Sequence, residues 1–436
     1  MTFAQTLEFL RARQGLSKKD SLAHVLACLE RLGNPHKKIR AVHVTGTNGK
    51  GSVCALIAGA LAESGFKTGL FTSPHLCRIT ERIKINGVEI SDEDFTRHIA
   101  SAAAHETEPL SFFELLTVAC FLYFAERGVD AVVLEVGIGG RFDTTNVIEN
   151  PLVCAITSVG LDHVQILGGT LERIAAEKGG IIKPSCDCVC GALELGPRRV
   201  LRDIAAAQHA QIRFVEEGEI FRANGYDWET GALTLSGPGG GLWPLGLIGS
   251  RQAQNAAVAF ACIEVLSKRG LVCEPAAIRR AFSQVRWPAR FQIIARANGG
   301  RVILDGAHNP QAARAFADTF AMSPFSVQKN VFILGVMADK DYKAVIDCLA
   351  PFLKAVICVA APSPRALAPE KLAALVAARC PAARVSAEND FEQAFSKAAL
   401  ISDNIIITGS FYLAGATLSL LAREPAEKGR VSQYAS

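Results

Sequence analysis

The chain has no hydrophobic run long enough to cross a bilayer: stretches such as Leu115 to Ala125 end at charges well short of that span. Met1 to Leu10 carries Glu8 and lacks a basic segment before an apolar core, so it does not read as a secretory signal. Charge of one sign is scarce as well. A formal net charge of +4 over 436 residues gives no footing for a nucleic-acid partner. There is no internal repeat and no low-complexity tract, and only the tail after Glu424 reads as disordered. A disulfide framework is missing too, because the thirteen cysteines are odd in number and sit among apolar positions such as Cys54, Cys120, Cys154 and Cys262. That usage suits a reducing cytoplasm. Cys186, Cys188 and Cys190 alternate, which places their thiols on one face of a strand, and no second cluster answers them. A buried strand after Pro184 is expected there rather than a metal site.

Half of the residues are hydrophobic and a fifth are charged, as in a well-buried globule. The length exceeds what one core serves, so two domains are expected. The most informative stretch is Val42-His43-Val44-Thr45-Gly46-Thr47-Asn48-Gly49-Lys50-Gly51-Ser52. A strand pattern leads into it, and Val53, Leu56, Ile57, Ala60 and Leu61 leave it at helical spacing. Strand, glycine-rich turn and helix is the layout in which backbone N–H groups face an anion. Lys50 adds a charge where β- and γ-phosphates would lie, and Gly46, Gly49 and Gly51 would let the chain wrap closely around them. The general formula has glycine where Val44 stands and Ser or Thr directly after the lysine, where Gly51 intervenes. A strand-to-helix turn without a ligand is the alternative.

Short helices are expected at Phe3 to Arg13 and Leu22 to Leu32. Thr68 to Phe71 reads as a strand ending in Thr72-Ser73-Pro74-His75-Leu76, and Ile83 to Ile90 as a hairpin turning at Asn86-Gly87. Helices follow at Ser91 to Ala104 and Phe113 to Glu126, then strands at Asp130 to Val136 and Val153 to Ser158. A helix from Thr170 carries Glu177-Lys178-Gly179-Gly180. Gly237 to Gly241 is a loop with no helix after it, and Gln252 to Leu266 is helical. Beyond Arg286-Trp287-Pro288-Ala289-Arg290 strands and helices alternate to Leu421. The expected domains are 1–288, a linker at 289–298, and 299–436.

Strand tips are where open α/β sheets bind ligands. Ser73, Glu135 and His163 each follow a strand, and beside Lys50 they would make a shell for Mg²⁺ completed by water and phosphate oxygens. The blocks Thr45 to Ser52, Thr72 to Leu76, Leu134 to Asp143, Asp162-His163, Glu177-Lys178 and Leu304-Asp305-Gly306-Ala307-His308-Asn309-Pro310 occur in this order. Together they resemble the folylpolyglutamate synthases and the bifunctional dihydrofolate synthase/folylpolyglutamate synthases of the Mur-ligase superfamily, over about Leu22 to Leu421. The resemblance implies an α/β fold: a P-loop Mur-ligase-type domain with a mainly parallel sheet, and a smaller doubly wound Rossmann-like C-terminal domain. It implies ATP-dependent addition of L-glutamate to folate, and also to dihydropteroate, through an acyl phosphate.

By the same resemblance, Asn48, Gly49, Lys50 and Gly51 hold the phosphates, Asn255 the adenine side, and Arg290 and Asp305 reach the nucleotide from the junction and the second domain. Ser73, Glu135 and His163 match Mg²⁺ ligands, with K⁺ as a further ion. Lys50, Lys178 and His163 are the catalytic candidates, Lys178 matching a lysine that the family carbamylates. His308 is placed beside the same cleft. Phe112, Phe113, Glu114, Phe142, Asp143 and Thr144 match the pterin side, though Phe112 and Phe113 could equally begin a core helix. The pattern departs from the family at Arg251-Gln252, Pro288-Ala289-Arg290 and Gly179-Gly180. It departs again at Ser21-Leu22-Ala23-His24, in the region tied to dihydropteroate. A cytoplasmic monomer is expected, with no nucleic-acid or membrane partner. A cell-wall Mur ligase would need a UDP-sugar domain, and about forty residues before the loop are too few for one. A non-catalytic nucleotide switch is the other rival.

Overall fold

The computed structural model describes residues 1–15, 21–296 and 298–423, so the tail beyond Glu424 lies outside the described residues. Helices α1 (Phe3–Ala12) and α2 (Ala23–Arg31) precede strand β1 (Ala41–Thr45), and α3 (Lys50–Glu63) follows the glycine loop. Next come β2 (Thr68–Phe71), the hairpin β3 (Ile83–Ile85) and β4 (Val88–Glu89), and helices α4 (Asp92–His105) and α5 (Phe112–Arg127). Strands β5 (Ala131–Glu135) and β6 (Val153–Ile156) are followed by the short α6 (Val164–Leu167) and by α7 (Leu171–Gly179). Then β7 (Asp187–Cys190), α8 (Leu195–Ala207) and β8 (Gln211–Phe214) complete the first sheet.

That sheet runs β4-β3-β2-β5-β1-β6-β7-β8. Strands β2, β5, β1, β6, β7 and β8 are parallel, and only β3, the inner strand of the edge hairpin, runs against them. Strand β1 lies in the middle and all five of its residues are buried, which is why it reads as a near-continuous apolar run. Its two faces feed different cores. Val42 and Val44 pack with Leu56 and Ile57 of α3, while Ala41 joins Phe71, Phe121 and Phe124 under α5.

An antiparallel sheet of β9 (Arg222–Asp227), β10 (Ala232–Ser236) and β11 (Leu242–Leu245) follows, then α9 (Gln252–Lys268) and α10 (Pro275–Gln284). The glycine run Gly237 to Gly241 is the turn between β10 and β11, and Trp243 Nε1 donates to Pro238 O at 3.2 Å across it. Helix α10 was not anticipated, although Pro275 at its start and the apolar Ile278, Ala281 and Phe282 mark it.

The C-terminal part holds β12 (Gln292–Ala295), β13 (Arg301–Leu304), α11 (Pro310–Met322), β14 (Asn330–Leu334) and α12 (Tyr342–Leu349). It continues with β15 (Ala355–Val359), α13 (Pro369–Arg379), β16 (Arg384–Glu388), α14 (Phe391–Ile401), β17 (Asn404–Thr408) and α15 (Phe411–Leu421). Its sheet runs β12-β13-β17-β14-β15-β16, parallel apart from β12. Within the stretch expected as a linker, 289–298, residues 292–295 therefore form an edge strand, with Gln292 opposite Leu304. The cysteine-rich strand is β7, whose Cys188 and Cys190 are buried with the preceding Cys186, and all thirteen cysteines are free. Among the described residues no helix is long and apolar enough to cross a membrane.

Candidate active site

A cavity of about 1370 Å³ lies between the carboxyl ends of the first sheet and the C-terminal part that carries the β12–β17 sheet. The glycine loop forms its floor. Gly46 and Gly49 have φ of 155° and 87°, the second in the left-handed region that favours glycine, and α3 begins at Lys50. The protein itself already demands all three loop glycines. A Cβ at Gly46 would lie 1.9 Å from Thr157 Oγ1, one at Gly49 2.4 Å from Asn255 Oδ1, and one at Gly51 2.7 Å from Trp287 Nε1. Protein neighbours therefore crowd these positions, a demand for glycine separate from the room that a phosphate would need. Thr157 Oγ1 and Ser158 Oγ both donate to Asn48 O, at 2.6 and 3.0 Å, Ser158 Oγ also accepts from Asn48 N at 2.9 Å, and together they fix the loop from the end of β6.

Lys50 curls over the loop, its Nζ donating to Gly46 O at 3.1 Å. It is the common electrostatic neighbour of the site, felt by Glu135, His163 and Lys178. Ser52 lines the same cavity, and its buried hydroxyl has no partner among the described residues.

Glu135 ends β5 fully inside the protein. One oxygen accepts the Ser73 N–H at 3.0 Å, and no basic side chain among the described residues forms an ion pair with it. Burial pushes its carboxyl up, against the pull of Lys50, the Ser73 N–H, Arg290 and Arg82. A buried carboxylate without an ion pair is costly, and a cation would relieve it. The donor set of Ser73 hydroxyl, Glu135 carboxylate and His163 imidazole, all lining one cavity, fits a divalent ion.

His163 follows β6 with φ 50° and caps α6. Burial and the ammonium of Lys340 hold its imidazole down at about 4, so the ring is neutral at physiological pH. Lys178, in the last turn of α7, is buried, and its Nζ has no acceptor among the described residues. Burial, reinforced by Lys50, brings its amine down to about 7.

From the junction, Arg290 lies over the Phe411 ring at 4.7 Å and faces Glu135 and Asp305. Asp305 accepts from Phe291 N at 2.7 Å and Ala307 N at 2.8 Å, pinning a turn in which Ala289 and Phe291 have φ of 56° and 42°. Asn255, in the first turn of α9, donates to Gln252 Oε1 at 2.9 Å and faces the loop at Gly49. His308 turns its Nδ1 to Gly306 O at 2.9 Å and its Nε2 toward Asp162 at 3.6 Å.

On the opposite wall, Phe112 lies under the Arg82 guanidinium at 5.4 Å, and Phe113 packs against Phe71 at 5.8 Å. Both line the cavity, as do Phe142, Asp143 and Thr144. Asp143 is buried and accepts from Gly137 N at 2.9 Å and Ile138 N at 3.1 Å, which shapes the glycine turn after β5. Glu114, expected on the substrate side, is not among the residues that line the cavity. It closes a capping box with Ser111, and its other oxygen meets His24 Nε2 at 3.0 Å, so the carboxylate points into the core of α2 and α5.

Sequence reasoning missed Asp162, Lys340, Asn309, Gln311 and Arg82 as members of the site. Asp162 accepts from Lys340, which contacts it very closely, and from Asn309 Nδ2 at 2.9 Å. Asn48 Nδ2 donates to Gln311 Oε1 at 2.8 Å. The strand-tip rule applied to β14 would have pointed to Lys340. Nothing local marks Arg82.

The Mur ligase middle domain family matches residues 44–263, and the Mur ligase glutamate ligase domain family matches residues 289–411. The chain is 36% identical over 383 residues to the dihydrofolate synthase/folylpolyglutamate synthase of Bacillus subtilis (82% of this chain, 85% of that one). It is 34% identical over 438 residues to the folylpolyglutamate synthase of Lacticaseibacillus casei (97% and 99%). The solved Mycobacterium tuberculosis folylpolyglutamate synthase complexed with ADP superposes with a TM-score of 0.87 at 32% identity, covering 97% of this chain and 99% of that one. With both Mur ligase domains present in order and whole-length relatives of this kind, the chain belongs to the folylpolyglutamate synthase/dihydrofolate synthase family of Mur ligases.

Proposed function

We propose that this ATP-dependent ligase joins L-glutamate to the terminal carboxylate of tetrahydrofolate, and also of dihydropteroate, through an acyl phosphate. The observation that carries the reading is Glu135, a buried carboxylate without an ion pair, in one cavity with the phosphate-type loop, Lys50 and Arg290. A carboxylate attacking a triphosphate is a like-charge encounter, and such a site is organised to receive both. Lys50 and the loop amides bind the β- and γ-phosphates, and Arg290 meets them from the junction. Ser73, Glu135 and His163 would hold Mg²⁺, which would supply charge neutralisation between the two anions.

The folate carboxylate oxygen takes the γ-phosphoryl group and ADP leaves. The glutamate amine then attacks the acyl carbon, phosphate departs, and the amine's proton passes to solvent or a nearby base. Walls from two domains exclude water that would hydrolyse the intermediate. Lys178 supports a further step. Its amine is held near neutrality by burial, so the uncharged form can add CO₂, lose a proton and become a carbamate facing the cation site. Phe112, Phe113, Phe142, Asp143 and Thr144 offer a flat, partly apolar wall for the pterin. We read the working unit as a monomer in the cytoplasm.

The test is a product assay with ATP, L-glutamate and either tetrahydrofolate or dihydropteroate. Amide and ADP should form with both substrates. Product from tetrahydrofolate alone would confine the enzyme to chain extension, and ADP without amide would return the nucleotide-switch reading. Lys50→Ala should abolish turnover in a folded protein.

A further inference from the structure

Lys340 comes from the second domain, in the turn between β14 and α12, yet its ammonium lies in the first domain's cation site. It contacts Asp162 Oδ1 closely and sits 3.2 Å from His163 Nε2. A lysine ammonium has only donors, so Nε2 must accept and the ring proton must be on Nδ1. Nε2 is therefore the lone pair His163 would offer a metal ion, and Lys340 already covers it. The same face is tied by Asn309, which donates to Asn48 Oδ1 at 3.1 Å and to Asp162 Oδ2 at 2.9 Å. Lys340 and Asp162 are both largely enclosed, at 10% and 8% exposure, so their attraction is less screened than that of a surface pair.

We infer that Lys340 is an internal competitor for the divalent cation, a positioning residue whose ammonium fills that cation's place and clasps the two domains until metal and nucleotide displace it. The inference rests on His163 being a metal ligand, as proposed above. It accounts for the contact without adding a new ligand: a positive group this near would repel a divalent ion, and the ion would have to arrive with the negative charge of the triphosphate to win. Lys340 then becomes free for the phosphates within the same cavity. The consequence is an order of events, in which metal alone binds poorly and metal with nucleotide binds well.

The experiment measures Mn²⁺ binding to the full chain by electron paramagnetic resonance of free Mn²⁺, without nucleotide, for wild type and Lys340→Met. Removing a like charge within a few ångströms should tighten Mn²⁺ by about tenfold or more. Lys340→Arg, which keeps the charge, should remain near wild type. Adding His163→Ala to Lys340→Met should remove the gain. Small-angle scattering of the nucleotide-free protein should show Lys340→Met more open than wild type. Unchanged Mn²⁺ affinity in Lys340→Met, a gain that survives His163→Ala, or an unchanged scattering profile would each overturn the inference. A merely structural lysine would not strengthen metal binding when lost. The metal reading itself is tested separately: with an ATP analogue present, His163→Ala should weaken Mn²⁺ in the Lys340-bearing protein. If it does not, the metal assignment fails, whatever Lys340 does.

Discussion

Gly51, the second residue of α3, stands directly against Trp287 of the domain junction, where a Cβ would lie 2.7 Å from the indole Nε1 and 3.0 Å from Cε2. The phosphate-type loop is therefore braced by the segment that leads to the second domain. Gly51→Ala should cost about 1–3 kcal/mol by overpacking, and it should raise KM for ATP by tilting the start of α3. Pairing it with Trp287→Leu should recover much of that stability. Chemical denaturation of the two single variants and the double variant closes the cycle. If the losses simply add, the contact is not the reason for glycine here.

Glu114 yields a stability prediction instead of a binding one. Glu114→Ala removes the reciprocal half of the Ser111 capping box and leaves the buried His24 Nε2 without its partner. A cap and a stranded buried polar group together are worth about 2–4 kcal/mol. KM for either folate substrate should stay within about twofold at a temperature where the variant is folded, as expected of a group outside the cavity. Phe113→Ala, in the cavity wall, should instead raise folate KM. A large KM effect from Glu114→Ala would restore it to the substrate site.

Lys178 makes stability depend on pH in a direction that can be worked out. Its folded amine titrates at about 7, below the ordinary lysine value of 10.5, so the unfolded chain holds that proton more tightly. Stability should then rise with pH across that window and level off below it. Lys178→Met, which has nothing to titrate, should be more stable than wild type near about pH 6, by a few kcal/mol at most, with the gap narrowing above about pH 7 and closing only toward the ordinary lysine value of 10.5. Urea unfolding of both proteins in bicarbonate-free buffer measures it. A constant gap would mean that the amine is not desolvated. The carbamate reading has its own check: Lys178→Ala should regain activity with short carboxylic acids if a carboxylate-like group is what the site lacks.

How far the sequence could carry this picture depends on how local each signal is. Strand β1, the glycine loop and α3 were legible because pattern, turn residues and charge lie within about twenty consecutive positions. Gln292 to Ala295 was not, since a four-residue edge strand is defined by its antiparallel partner, Arg301 to Leu304. Ser111-Phe112-Phe113-Glu114 carries the spacing of a capping box, so the fate of Glu114 was partly readable. Its partner His24, ninety positions away, was not. The pairing of Asp162 with Lys340 joins residues 178 apart across two domains, and no periodicity encodes such a meeting.

Glu135 sets function against stability. Burial pushes its carboxyl above the usual range, so its ionised form costs the folded state free energy once pH exceeds that raised value, and the cost fades as pH falls. The neutral Glu135→Gln, of nearly the same shape, should therefore stabilise the ligand-free protein at neutral pH by about 1–3 kcal/mol and lose that advantage in acid. Turnover should fall by at least about a hundredfold, because the amide cannot supply the negative charge a divalent cation needs. Thermal unfolding with and without Mg²⁺ and ADP separates the two effects. Wild type should gain more from the added ligands than Glu135→Gln does, so the order of melting temperatures narrows or reverses. Equal gains would show that the carboxylate does not serve the cation, and retained turnover would remove it from the chemistry altogether.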